Sequence, residues 1–175
     1  MQRLFGGFQM TRPAWMAALC TACLVHSAAW AQPSAPASAA DLGALAPPVF
    51  DEALARSVGA DEHGMRRYVL VVLKTGPNKL PAGPERDEMF RGHFANMKRL
   101  AAEGKLALAG PFDGVDGWRG LFIFAVADID EAKQLTATDP VIIKGEMVAE
   151  FHKYFGSAAL MLVNGLHGKV ARKAF

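Results

Sequence analysis

Residues 118–126 read WRGLFIFAV, and no other stretch restricts the fold so tightly. Side chains alternate across a strand, so Leu121, Ile123 and Ala125 share one face while Phe122, Phe124 and Val126 share the other. Both faces are apolar. A strand of this kind belongs inside a sheet that is covered on both sides. Residues 68–73, YVLVVL, carry the same signature and run towards Gly76-Pro77-Asn78, a turn sequence.

Two more strands follow from residues 106–109, LALA, which run into Gly110-Pro111, and from residues 147–155, MVAEFHKYF. Between the first two strands lies ERDEMFRGHFANMKRLAAEGK, residues 85–105. There Met89, Phe90, Phe94, Met97, Leu100 and Ala101 recur at the three-and-four spacing of an amphipathic helix. Residues 128–138 predict a second helix, with Ile129, Ala132, Leu135 and Thr136 on one side and Asp128 as its cap. Asp139-Pro140 breaks it, because a residue before proline is pushed out of the helical region. Residues 141–145 read as a short turn. The order is strand, helix, strand, strand, helix, strand. That is an α+β fold of ferredoxin-like βαββαβ type, an antiparallel four-stranded sheet with two helices on one face. Two helices cover only one apolar face. A second copy, packed sheet to sheet as a homodimer, is the simplest cover for the other. The alternative cover is the C-terminal segment, residues 158–175.

The first residues have a different composition. Arg3 and Arg12 precede an apolar run at residues 14–25, and Ala29-Trp30-Ala31 follows. This order predicts a signal peptide over residues 1–31, cleaved after Ala31, and the run is shorter than the ~20 apolar residues of a membrane span. Residues 32–48, QPSAPASAADLGALAPP, read as a flexible tether. A short helical segment at residues 49–64 is marked by Phe50, Leu54 and Val58. The main domain takes residues 65–158, and residues 159–175 form a tail. Cys20 and Cys23, the only cysteines, lie in the leader, so the processed chain has no disulfide and no thiolate ligand. Export without cysteine fits a bacterial periplasm or secretion. Loss of Arg3 and Arg12 takes the net charge from +2 to 0. A balanced domain lacks the electrostatic footprint of a nucleic-acid binder, and no membrane partner is expected after cleavage.

Four histidines follow the leader. His167 sits in a basic, glycine-flanked tail and His63 in a polar loop. His152 is in phase with Glu150 and Tyr154, so these three share one face of the last strand, either lining a cavity at the sheet-to-sheet layer or forming a network there. His93 falls beside the apolar stripe of the first long helix, among Met89, Phe90, Asn96 and Met97. In the expected fold both helices lie over the same sheet, and their ends can bring His93 to Asp139. A carboxylate that accepts one ring N–H fixes the tautomer and leaves the other nitrogen to act as a base.

MRRYVLVVLKTG, HFANMKRLAAEGKLALAGPF, WRGLFIFAVADIDEAKQL and TDPVIIKGEM together resemble the YciI-like (YCII-related) family over residues 65–158. The hallmarks fall on His93, Gly110-Pro111 and Asp139-Pro140. The resemblance implies a dimeric α/β barrel with His93 and Asp139 as the active-site pair, and some relatives are linked to elimination chemistry on small rings. The leader, the tether, the segment at residues 49–64 and the tail depart from small cytoplasmic members.

No phosphate loop or nucleophile elbow is present, and no motif demands a cofactor. A metal held by His93, Asp139 and His152 has no HxxxH or HxH spacing behind it, so no ligand is assigned. The sequence therefore points to an acid/base enzyme of lyase or isomerase type acting on a small molecule. Its catalytic residues would be His93 and Asp139, with Gly110, Pro111, Glu150, His152 and Tyr154 as substrate contacts. The competing readings make the pair a recognition element in a binding or accessory module, or a structural pin between helices.

Overall fold

The chain is described by a computed structural model over residues 49–173; the expected signal peptide and tether, and the last two residues of the expected tail, lie outside the described residues. Four strands, β1 (Met65–Thr75), β2 (Leu106–Pro111), β3 (Trp118–Phe124) and β4 (Met147–Ser157), form one sheet in the order β2-β3-β1-β4. Each neighbouring pair is antiparallel. The two strands that are apolar on both faces, β1 and β3, take the two central places. This is where such strands must go, since an edge would leave one side unprotected.

Among the described residues five α-helices accompany the sheet: α1 (Glu52–Ser57), α2 (Pro84–Ala102), α3 (Ile129–Thr136), α4 (Pro140–Ile143) and α5 (Val163–Val170). The helix α2 starts at Pro84, which needs no N–H in the first turn, with Glu85 and Asp87 at the positive end of the dipole. Gly104, at φ 68°, takes the left-handed conformation that ends it. Met89 and Leu100 of α2 and Ala132 of α3 are buried against Val69, Val71, Leu73, Phe122, Phe124 and Met147 of the sheet. This layer is the main core. Val69, Val71 and Phe124 are wholly excluded from solvent. The α+β fold and the ferredoxin-like sheet thus take the expected form.

Two local expectations change. The β1–β4 ladder runs from Met65 opposite Ser157 to Thr75 opposite Met147, beyond the apolar run that marked the strand, because the backbone groups of Lys74 and Thr75 still find partners. Residues 141–145 are not merely a turn. Asp139 caps a new helix, α4, its side chain accepting the Val141 N–H at 3.1 Å. The segment after β4 takes up, in part, the alternative cover. Residues Ala158–Leu162 form a 3-10 turn leading into α5, and Leu160 and Met161 pack on Tyr68, Ala107 and Ile123 on the sheet face opposite the main core. Part of that face is therefore covered from within the chain. Among the described residues no helix is long and apolar enough to cross a membrane.

Candidate active site

His93 lies at the middle of α2, not at its end, and reaches Asp139 at the break between α3 and α4. Its Nδ1 stands 2.8 Å and 3.0 Å from the two carboxylate oxygens. Asp139 is completely buried and His93 is 7% exposed. The ring stacks on Phe122 of β3 at 6.0 Å and 29°, with Phe90 and Phe94 on its other sides. A buried carboxylate costs several kcal/mol unless its lone pairs are used. Asp139 uses them on His93 and on the Val141 N–H, so both side chain and cap are held by one group.

A glycine permits this contact. A Cβ on Gly92 would lie 2.8 Å from Pro140 Cγ, so only a glycine lets α2 approach the α3–α4 break this closely. The same seam continues on both sides. Lys144 Nζ donates to Glu85 at 3.1 Å towards the start of α2, and Arg99 Nη2 to Thr138 at 3.3 Å towards its end. Sequence reasoning singled out His93 and Asp139 but not Gly92. The available signal was a glycine inside a long amphipathic helix, where it costs about 1 kcal/mol relative to alanine and so needs a reason.

A second buried acid, Glu146, was also missed. It is 1% exposed and accepts from Arg86 Nη2 at 2.7 Å and from the Leu80 N–H at 2.8 Å, with Arg119 Nη1 at 4.0 Å. Burial alone would push its carboxyl up. The Arg86 hydrogen bond and charge, the Leu80 N–H and the Arg119 charge outweigh burial and hold it below its ordinary value. This group ties the loop after β1, the first turn of α2 and the start of β4 to one point.

The other expected site residues are not beside the pair. Glu150, His152 and Tyr154 lie on the opposite sheet face, since Phe151, between Glu150 and His152, packs with the main core. There Glu150 accepts from Lys74 at 3.0 Å and lies 3.1 Å from His152 Nε2. The Lys74 hydrogen bond and charge hold the Glu150 carboxyl below its ordinary value. Tyr154 sits near Tyr68, ring centres 6.1 Å apart, and burial pushes the Tyr68 phenol up against the opposing pull of Arg66. His152 cannot share a metal ion with His93 and Asp139 across the sheet. Gly110 and Pro111 pair with Leu121 and Gly120 of β3, and no hydrogen bond links them to the pair among the described residues. Neither of two surface cavities, one lined by Phe112, Asp113, Val115, Asp116 and Trp118 and the other by Lys79, Leu80, Pro81, Ala82 and Arg86, includes His93 or Asp139.

Fold and pair together define a class: a ferredoxin-like α+β domain whose helical layer encloses a histidine held by an aspartate. The family model of the YCII-related domain matches residues 67–151, which supports the YciI-like family. That match contains both His93 and Asp139. No curated protein matches the chain.

Proposed function

We propose that the protein is an exported small-molecule enzyme in which His93 is a general base and acid and Asp139 its positioning partner. The observation that carries this reading is the two-oxygen contact of Asp139 with one nitrogen, Nδ1, of a ring otherwise enclosed by phenylalanines. Asp139 accepts the Nδ1–H, which selects the tautomer with its lone pair on Nε2. Nε2 then removes a proton from carbon, the carboxylate stabilises the imidazolium, and the proton returns to a leaving group or to a neighbouring carbon. Elimination and isomerisation both follow this course and need no protein nucleophile. A sheet-to-sheet homodimer forms part of the proposal, because the outer face retains apolar groups that the C-terminal turn does not cover.

Exchange of C–H for deuterium tests the chemistry without knowledge of the substrate. A panel of small ketones, lactones and hydroxy acids is incubated in deuterated buffer and followed by proton NMR. The wild type should label one chemical class, and His93→Ala should slow labelling by about 10²- to 10⁴-fold. Asp139→Asn, which can still cap α4, should slow it less. Labelling by His93→Gln at the wild-type rate, or none by the wild type, removes the acid/base reading.

A second reading is favoured by the depth of burial: His93 and Asp139 serve as a pin between α2 and the α3–α4 break, without chemistry. In that case His93→Gln, which can still donate to Asp139, keeps the wild-type melting temperature and no ligand shifts it. The enzyme reading predicts that a labelled compound protects the wild type and that protection is reduced in His93→Gln.

A further inference from the structure

The tip of the β2–β3 hairpin carries a feature that the His93 pair does not use. Phe112 and Trp118 face each other across the hairpin, ring centres 5.4 Å apart and inclined at 56°, and both remain over a third exposed. They form two walls of a corner. With Val115, Asp113 and Asp116 they line a cavity of about 270 Å³. Large aromatic rings left to solvent lose the benefit of burial, so a paired and exposed Trp and Phe call for an occupant.

Charge narrows what that occupant is. Both polar residues lining the corner are acidic. Asp113 uses one oxygen on the Val115 N–H at 3.1 Å, while Asp116 makes no hydrogen bond or ion pair among the described residues. Among the described bases, Lys74, the cross-strand partner of Trp118, pairs with Glu150 at 3.0 Å, and Arg119 lies 4.0 Å from Glu146. The corner therefore joins π faces, whose quadrupole attracts cations, with carboxylates that make no ion pair among the described residues.

We propose that this corner binds a methylated ammonium group, with Trp118 and Phe112 as its walls and Asp116 and Asp113 as counter-charges. A quaternary nitrogen has apolar methyl groups to set against the rings and a diffuse charge that is cheap to dehydrate. A primary ammonium is better solvated and has three N–H groups to satisfy. The ligand is a free cation and not a phospholipid headgroup, because a phosphate beside the nitrogen would be repelled by both aspartates. With two open walls and screened carboxylates, affinity is on the order of millimolar.

The test uses ¹⁵N-labelled full-length protein, following the Trp118 indole N–H, assigned through Trp118→Phe, and the backbone signals of the hairpin. Choline is titrated beside 3,3-dimethyl-1-butanol, its neutral isostere, and beside phosphocholine. Choline should give saturable shifts confined to the hairpin, with the alcohol and phosphocholine each roughly fivefold weaker or more. Asp116→Asn, which suits the left-handed backbone at φ 54°, should weaken choline severalfold and leave the rest of the spectrum unchanged. Trp118→Leu should abolish the hairpin shifts. Equal response to the alcohol means apolar contact alone and overturns the assignment. So does an unchanged affinity in Asp116→Asn. If a second copy buries the corner, neither choline nor the alcohol moves the Trp118 signal, and the assignment fails in that way too.

Discussion

At Gly92 two effects of known size oppose each other. Replacing an interior helical glycine by alanine gains about 1 kcal/mol of helix propensity. Here the new methyl would meet Pro140 Cγ at 2.8 Å, and a proline ring cannot swing aside as the end of a lysine can. Overpacking of this kind costs about 1–3 kcal/mol. Gly92→Ala should therefore lower stability by about 1 kcal/mol, read as a lower urea midpoint at unchanged slope. It should also slow the exchange chemistry by moving His93 from Asp139. A variant more stable than wild type would mean that the seam yields and that Gly92 does not set the spacing. The residue types of the pair were legible in the sequence, since a lone histidine on an apolar stripe and an aspartate before proline both stand out. Their contact was legible only through the fold. Gly92 was not, because its role depends on an atom of Pro140, 48 positions away by residue number.

Among elements, periodicity placed β1, β3, α2 and α3, and the misjudged parts were those governed by hydrogen bonds and not by apolar spacing. The helix α4 is one case: Asp139-Pro140 reads as a stop, yet Asp139 at an N-cap with proline at the first helical position is also a start. Glu146 is another. Nothing in KGEMVAEF marks a buried acid, because its partners Arg86, Leu80 and Arg119 come from three separate segments. That cluster ties the first turn of α2 to the loop after β1 and the segment before β4, and it carries a pH signature. The folded carboxyl is held below its ordinary value of 4.5, so its contribution is fully present above that value and is lost as pH falls through the lower folded pKa. Glu146→Gln should cost about 3 kcal/mol at neutral pH, the usual penalty for breaking one side of a buried pair. The gap between variant and wild type should then narrow progressively as pH falls below the ordinary value of 4.5. Urea midpoints measured from pH 7 down to pH 3 check both statements. A gap that stays constant with pH would show that the ion pair contributes only its shape.

At the scale of the whole molecule the question is what covers the outer sheet face. Sequence patterning showed that β1 and β3 are apolar on both sides, but patterning does not say which cover wins. Leu160 and Met161 take the end of the face around Tyr68 and Ile123, a local solution that needs no partner. The remaining part carries Val148, 45% exposed, beside the half-exposed Lys74, Glu150 and His152. Leu70 and Leu121 there are neither buried nor exposed. A symmetric partner on this part would bury the apolar groups and surround the Lys74–Glu150–His152 cluster, whose members already satisfy one another and so lose less on dehydration. A stable interface needs about 800 Å² per partner, which a four-stranded sheet face can supply. Val148→Asp tests this. As a half-exposed position in the monomer it should change folding stability by no more than about 0.5 kcal/mol. At a sheet-to-sheet interface the same charge would be dehydrated twice by symmetry, and the dimer dissociation constant should rise by more than about tenfold. Sedimentation equilibrium should give twice the chain mass for wild type and a concentration-dependent average for the variant. A wild type that sediments as a single chain at every concentration would overturn the sheet-to-sheet dimer and leave the C-terminal turn as the cover this face has among the described residues.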